Sequence, residues 1–142
     1  MHKIEYGDRA LIINPYHYCI ILDEETYNAE LDRLKVSSAD RYSWLKPNAD
    51  ATTHFFHLKE AQKNIAIVCL NDKKKVSDTQ KVALIVHEAV HIWQFIEEYI
   101  GEINTSKEFE AYSIQGIVQE LLFSYDKAKN SISKRKQRAK KD

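Results

Sequence analysis

Between Val82 and Ile96 the chain carries a single charged side chain, Glu88, and that residue lies inside the string His87-Glu88-Ala89-Val90-His91. An apolar segment of this length and spacing predicts a helix that is apolar nearly all round and therefore buried. On a helix, residues four apart sit about 40° apart around the axis and one turn up. Both imidazoles can then reach one cation from the same face. Glu88, about 100° round from His87, misses the inner coordination sphere but can reach a water on that cation. Two neutral nitrogen donors with an adjacent carboxylate base are the donor set of a zinc-assisted hydrolase. A buried ionised glutamate is costly without a partner, and a metal with its water supplies one. The same residues also permit a plain core helix whose two histidines are satisfied by backbone or water.

Helix signals frame the motif. Ser77-Asp78-Thr79-Gln80 offers a serine cap with glutamine three residues on, and Gly101 is a stop. No histidine follows His91, which excludes patterns that recruit a later third histidine. A third ligand must then be a carboxylate or come from upstream. The downstream acids are Glu97, Glu98, Glu102, Glu108, Glu110, Glu120 and Asp126. Glu97 and Glu98 continue the same helix and are expected to face solvent. Glu108 and Glu110 open a second helical pattern from Ser106, carried on by Ile114, Ile117, Val118, Leu121 and Leu122. The short connection from Gly101 to Thr105 lets this helix fold back beside the first.

His87-Glu88-x-x-His91 followed by Glu108-Phe109-Glu110-Ala111-Tyr112 resembles the gluzincin arrangement of zinc metallopeptidases, and the small single-domain minigluzincin-like proteins in particular, several of them phage-encoded or bacterial. The likeness covers about residues 53 to 125. It implies zinc (Zn2+) held by His87, His91 and Glu108, with Glu88 as general base in peptide-bond hydrolysis. It also implies a strand before the motif helix that borders the cleft and pairs with an extended substrate; His54-Phe55-Phe56-His57-Leu58 is that strand. The family often has Asp or Asn four residues after the ligand glutamate, and this chain has Tyr112 there. Helical phase, with Ile114, Val118, Leu121 and Leu122 facing inward, puts Glu110 nearer that face than Glu108, so the two stay rivals for the third position. Tyr99, Tyr112 and Tyr125 are candidates by type for an oxyanion stabiliser.

The remaining pattern predicts a scaffold of the α+β class, with helices and a short antiparallel sheet segregated in sequence. A zincin-like domain would pack that sheet on the motif helix and on a following glutamate-bearing helix. Tyr16 to Leu22 reads as a strand and Glu24 to Val36 as an amphipathic helix carrying Tyr27, Leu31 and Leu34. The stretch from Arg41 to Asp50, with Pro47-Asn48 as breaker, reads as a loop. Thr52 to Leu58 and Asn64 to Leu70 predict an antiparallel hairpin across the polar turn Lys59 to Lys63. His54 and His57, three apart on a strand, point to opposite faces and cannot share an ion. One of them can face the cleft, although ordinary hairpin positions explain both.

With 142 residues, three glycines and two prolines, the chain suits one domain with its own core. No apolar run approaches the ~20 residues of a membrane span, and the N-terminus lacks a signal-peptide core. Cys19 and Cys69 lie in strand-like apolar runs, as free buried thiols do, and the expected setting is intracellular and cytoplasmic. The formal net charge is zero but uneven. From Lys127 to Lys141 there are eight Lys or Arg and no acid, leaving residues 1–126 acidic. The expected organisation is a zincin-like domain over 1–126 and a basic, disordered tail over 127–142. Such a tail can tether nucleic acid, but it has no interleaved aromatics for base stacking. The favoured partner is a peptide or protein substrate. The competing expectations are a non-catalytic module acting through the tail and an inactive relative with a structural zinc.

Overall fold

The computed structural model describes residues 4, 6, 16–72, 75–102 and 104–141. Its elements are β1 (Tyr16–Ile21), α1 (Glu24–Arg33), a single 3-10 turn (Ser38–Asp40), β2 (Ala51–Leu58), β3 (Lys63–Leu70), α2 (Asp78–Ile100) and α3 (Lys107–Ala139). This is a mixed α+β fold with a three-stranded sheet. The N-terminal stretch read for a signal core and Asp142 lie outside the described residues.

The strand order is β1-β3-β2. The β2–β3 hairpin forms as expected, in the register Ala51↔Leu70 to Leu58↔Lys63. β1, however, pairs with β3 in parallel, from Tyr16↔Asn64 to Ile21↔Cys69. The sheet is therefore mixed, not purely antiparallel. A run such as Tyr16–Ile21 has the right residues for a strand but no local signal for its neighbour's direction. Burial agrees with the topology, since β3 is buried from Asn64 to Leu70, as a central strand covered on both faces must be.

Strand alternation divides the core into two layers. Tyr18, Ile20, Ala66, Val68 and Leu70 face α2 and α3, where they meet Ile85, Ala89, Ile92, Trp93, Ile96, Ile117 and Leu121. Cys19, Ile21, Ile65, Ile67, Cys69 and Phe56 face α1, where they meet Tyr27, Leu31 and Val36. Cys19 and Cys69 are buried free thiols in this second layer. Burial pushes both thiols above the ordinary value.

Local chemistry sets the helix ends. Ser77 and Gln80 form a reciprocal capping box at the start of α2, and Gly101 ends it in the left-handed region at φ 72°. Ser106 caps α3 by accepting from the Phe109 amide. Asp72 clips the two helices to the strand end, accepting from Tyr125 Oη at 2.9 Å and pairing with Lys81 Nζ at 2.8 Å. Burial, together with the Asp72 hydrogen bond, pushes the Tyr125 phenol up to about 12.

Two further expectations change. α2 is buried on one side only: Val82, Val86, His87, His91, Phe95 and Tyr99 are exposed. Its length of apolar residues exceeds what one sheet face and one neighbouring helix can cover. The basic segment over 127–139 is helical, not disordered, because α3 runs on to Ala139. Leu121, Tyr125 and Ala128 are buried and Ile132 packs against the same layer, a helical spacing that carries the helix past the expected boundary. Lys127 lies over the Phe123 ring at 4.4 Å, and Lys136 and Arg138 occupy the last turn, where cations suit the helix dipole.

Candidate metal centre

The inward stripe of α2 is Ile85, Ala89, Ile92 and Ile96, so positions 87 and 91 fall on the opposite side of the helix. His87 and His91 are both exposed there, and their rings converge. The two Nε2 atoms are 3.1 Å apart, with ring centroids 4.7 Å apart and planes at 82°. Two imidazole nitrogens bound to one tetrahedral zinc at about 2.0–2.1 Å each are separated by about 3.3 Å. The pair thus stands close to the spacing of two zinc ligands.

His91 is oriented by a neighbour. Its Nδ1 lies 3.0 Å from Gln94 Oε1, an acceptor, a contact that suits a ring protonated at Nδ1. Gln94 follows His91 by three residues, a spacing that puts the two side chains side by side on a helix. The sequence contained that signal, and it is the one site residue that local spacing could have added.

Glu88 turns the other way, into the gap between α2 and β2, and is only 5% exposed. Its Oε2 accepts from Thr53 Oγ1 at 2.5 Å. Thr53 is 35 residues away, on β2, so no local pattern foretold the contact. β2 is a sheet edge, and Phe55, two residues on, stacks on Phe95 of α2 with centroids 3.7 Å apart. These contacts fix the distance between edge strand and motif helix. His87 and Glu88 also line an open hollow of about 440 Å³, together with Ala49, Asp50, Ala51 and Val76.

The carboxylates of α3 are not brought to the histidines. Glu108 is exposed in the first turn, and Glu110 is half-buried on the side of Ser113 and Ile117. Glu110 is thus the more buried of the two. Among the described residues no group of three His, Cys, Asp or Glu side chains is placed to hold a metal ion. The histidine pair therefore fits two positions of a zinc site, with the third not assembled. Glu97 instead accepts from Thr105 Oγ1 at 2.9 Å, tying the α2–α3 connection to the helix.

The other residues singled out from the sequence have separate duties. His54 is buried in the α1-facing layer, where its Nε2 lies 3.2 Å from the Trp44 carbonyl and its ring stacks on Tyr42. Burial lowers its pKa, partly offset by that carbonyl. His57 Nδ1 lies 2.7 Å from Asn64 Oδ1, its cross-strand partner. Both are hairpin residues on opposite faces, as alternation requires. Tyr99 packs edge-on against Tyr16, Tyr125 is engaged by Asp72, and Tyr112 is exposed on α3. Comparison with protein-family models, with curated proteins and with solved structures finds no match.

Proposed function

We propose that the chain is a zinc-dependent metallopeptidase of the gluzincin kind, with His87 and His91 as metal ligands and Glu88 as the general base. The observation that carries this reading is the convergence of two Nε2 atoms to 3.1 Å on the outer side of α2, with the buried Glu88 between them in sequence and held against the edge strand β2. The His87–His91 contact brings both Nε2 atoms to one point on the outer side of α2, and Gln94 stands where an outer-sphere partner orients a metal-binding ring. The third ligand in this reading is Glu108 by motif register, with Glu110 its rival by helical phase, and neither is assembled with the pair among the described residues.

When bound, zinc supplies a Lewis acid that polarises a carbonyl and acidifies water. The chain's own residues do the rest. Thr53 Oγ1–H occupies Oε2 of Glu88, which fixes the carboxylate and leaves Oε1 to take a proton from the attacking water. Glu88 then delivers that proton to the nitrogen of the departing amine. Burial of the carboxylate keeps competing water away and strengthens its hydrogen bonds. In this reading β2, an edge strand of the described sheet, pairs with an extended peptide, and the hollow beside His87 and Glu88 holds an adjoining side chain.

The test is metal content followed by turnover. Purified protein supplied with zinc is expected to hold one equivalent, lost in His91→Ala. Glu88→Gln is expected to keep the metal and to lose cleavage of casein or a peptide library. Failure of the wild type to bind zinc sinks the reading; zinc binding with wild type and Glu88→Gln equally inert leaves an inactive zinc-binding relative. A second reading, a non-catalytic module engaging nucleic acid or a protein, draws on the exposed basic end of α3, where Lys134, Arg135, Lys136, Arg138, Lys140 and Lys141 all face solvent.

A further inference from the structure

We infer that Gln94 is a positioning residue that locks His91 in the Nδ1–H tautomer and so keeps its Nε2 open toward the point where the His87 Nε2 also aims. The inference rests on the metal-site reading for its purpose, but its geometry stands by itself. Gln94 Oε1 is 3.0 Å from His91 Nδ1, and His91 Nε2 is 3.1 Å from His87 Nε2. An amide oxygen only accepts, so the ring must donate at Nδ1. With Nδ1 protonated, a neutral His91 has its lone pair at Nε2 and accepts the Nε2–H of His87 across the short gap. To hold a metal the pair would need only the His87 proton to shift from Nε2 to Nδ1, while the His91 donor would already be prepared. Fixing a ligand's tautomer in advance through its second nitrogen is what an outer-sphere partner contributes to metal affinity.

A glutamine here has a further chemical consequence. The common partner of a metal-bound imidazole is a carboxylate or a backbone carbonyl. A neutral amide orients the ring without adding a negative charge to the site. It also leaves the single formal charge of the segment, Glu88, as the only anion contributed by α2 between Val82 and Ile96. Gln94 is exposed, so its substitution removes no buried surface. Gln94→Leu removes the acceptor at similar length, Gln94→Asn shortens it out of reach, and Gln94→Glu restores an acceptor.

The experiment reads the ring directly. Long-range proton–nitrogen spectra of the 15N-histidine-labelled full chain, without metal and at a pH where the imidazoles are neutral, are expected to show His91 protonated at Nδ1. Gln94→Leu and Gln94→Asn should move the proton largely to Nε2, and Gln94→Glu should hold it at Nδ1. Zinc affinity, measured by competition with a chromogenic chelator, should fall about 10–100-fold in Gln94→Leu and recover in Gln94→Glu. An unchanged His91 spectrum in Gln94→Leu overturns the inference, as does a zinc affinity equal to that of the wild type. A wild type that binds no zinc overturns the metal reading instead, because the ring spectrum still decides the tautomer.

Discussion

Thr53 and Glu88 make the contact on which the candidate site most depends, and it joins two elements that are remote in sequence. A carboxylate that is 5% exposed needs donors, and Thr53 Oγ1 provides one from the edge strand. Thr53→Val keeps the shape of the side chain and its strand preference while removing that donor. The expected result is a loss of about 1–3 kcal/mol in urea unfolding at neutral pH, the cost of leaving a buried acceptor short of a partner. Unchanged stability would show that water replaces the hydroxyl and that Thr53 holds nothing in place. The histidine pair shows the opposite situation at the same scale. The convergence of His87 and His91 follows from a spacing of four on a helix, and the role of Gln94 follows from a spacing of three. Thr53 followed from neither, because hairpin alternation places it on a face without saying which helix residue it meets.

At the scale of elements, most of what the chain forms was readable from capping and turn residues. Ser77 with Gln80 and Ser106 mark helix starts, and the breaks around Pro47 and Lys59 separate the strands. What could not be read was the parallel direction of β1, since alternation of apolar residues is the same for either direction. The helical run after Lys127 was obscured by charge, although Tyr125, Ala128 and Ile132 continue the period of α3. Gly101 gives a sharp test of this level. It sits at φ 72° with open space around the place where a Cβ would go. Gly101→Ala therefore meets no clash, and its penalty is the backbone conformation alone, about 1–2 kcal/mol. Thermal unfolding of the variant should show that loss while zinc uptake is kept. A neutral outcome would mean that α2 ends elsewhere in solution and that the turn toward α3 needs no left-handed residue.

For the whole molecule, the arrangement is a sheet between one short helix and two long ones, with the candidate site on the outer side of α2 and the basic end of α3 running past the core. The two are separated by function of burial: packing along α3 ends at Ile132, and residues 133–141 are all exposed. A helix of 33 residues spans about 50 Å, longer than a core of this size requires. Removal of 134–142 takes away six basic residues and Asp142, shifting the formal net charge from 0 to −5. Residues 134–141 are all exposed, so stability should change by no more than about 0.5 kcal/mol. Removal of 127–142 also deletes buried Ala128 and the packed Ile132, and should cost about 1–3 kcal/mol through lost apolar burial. Chemical unfolding of the two truncations beside the full chain separates core from extension. If both truncations unfolded alike and both lost stability, the basic turns would belong to the fold itself, and the acidic body would be held partly by attraction to its own tail. If only the longer deletion destabilises, the domain ends near Ile132, and zinc uptake in the shorter truncation should match the full chain, because no residue of the histidine pair or its partners lies on that extension.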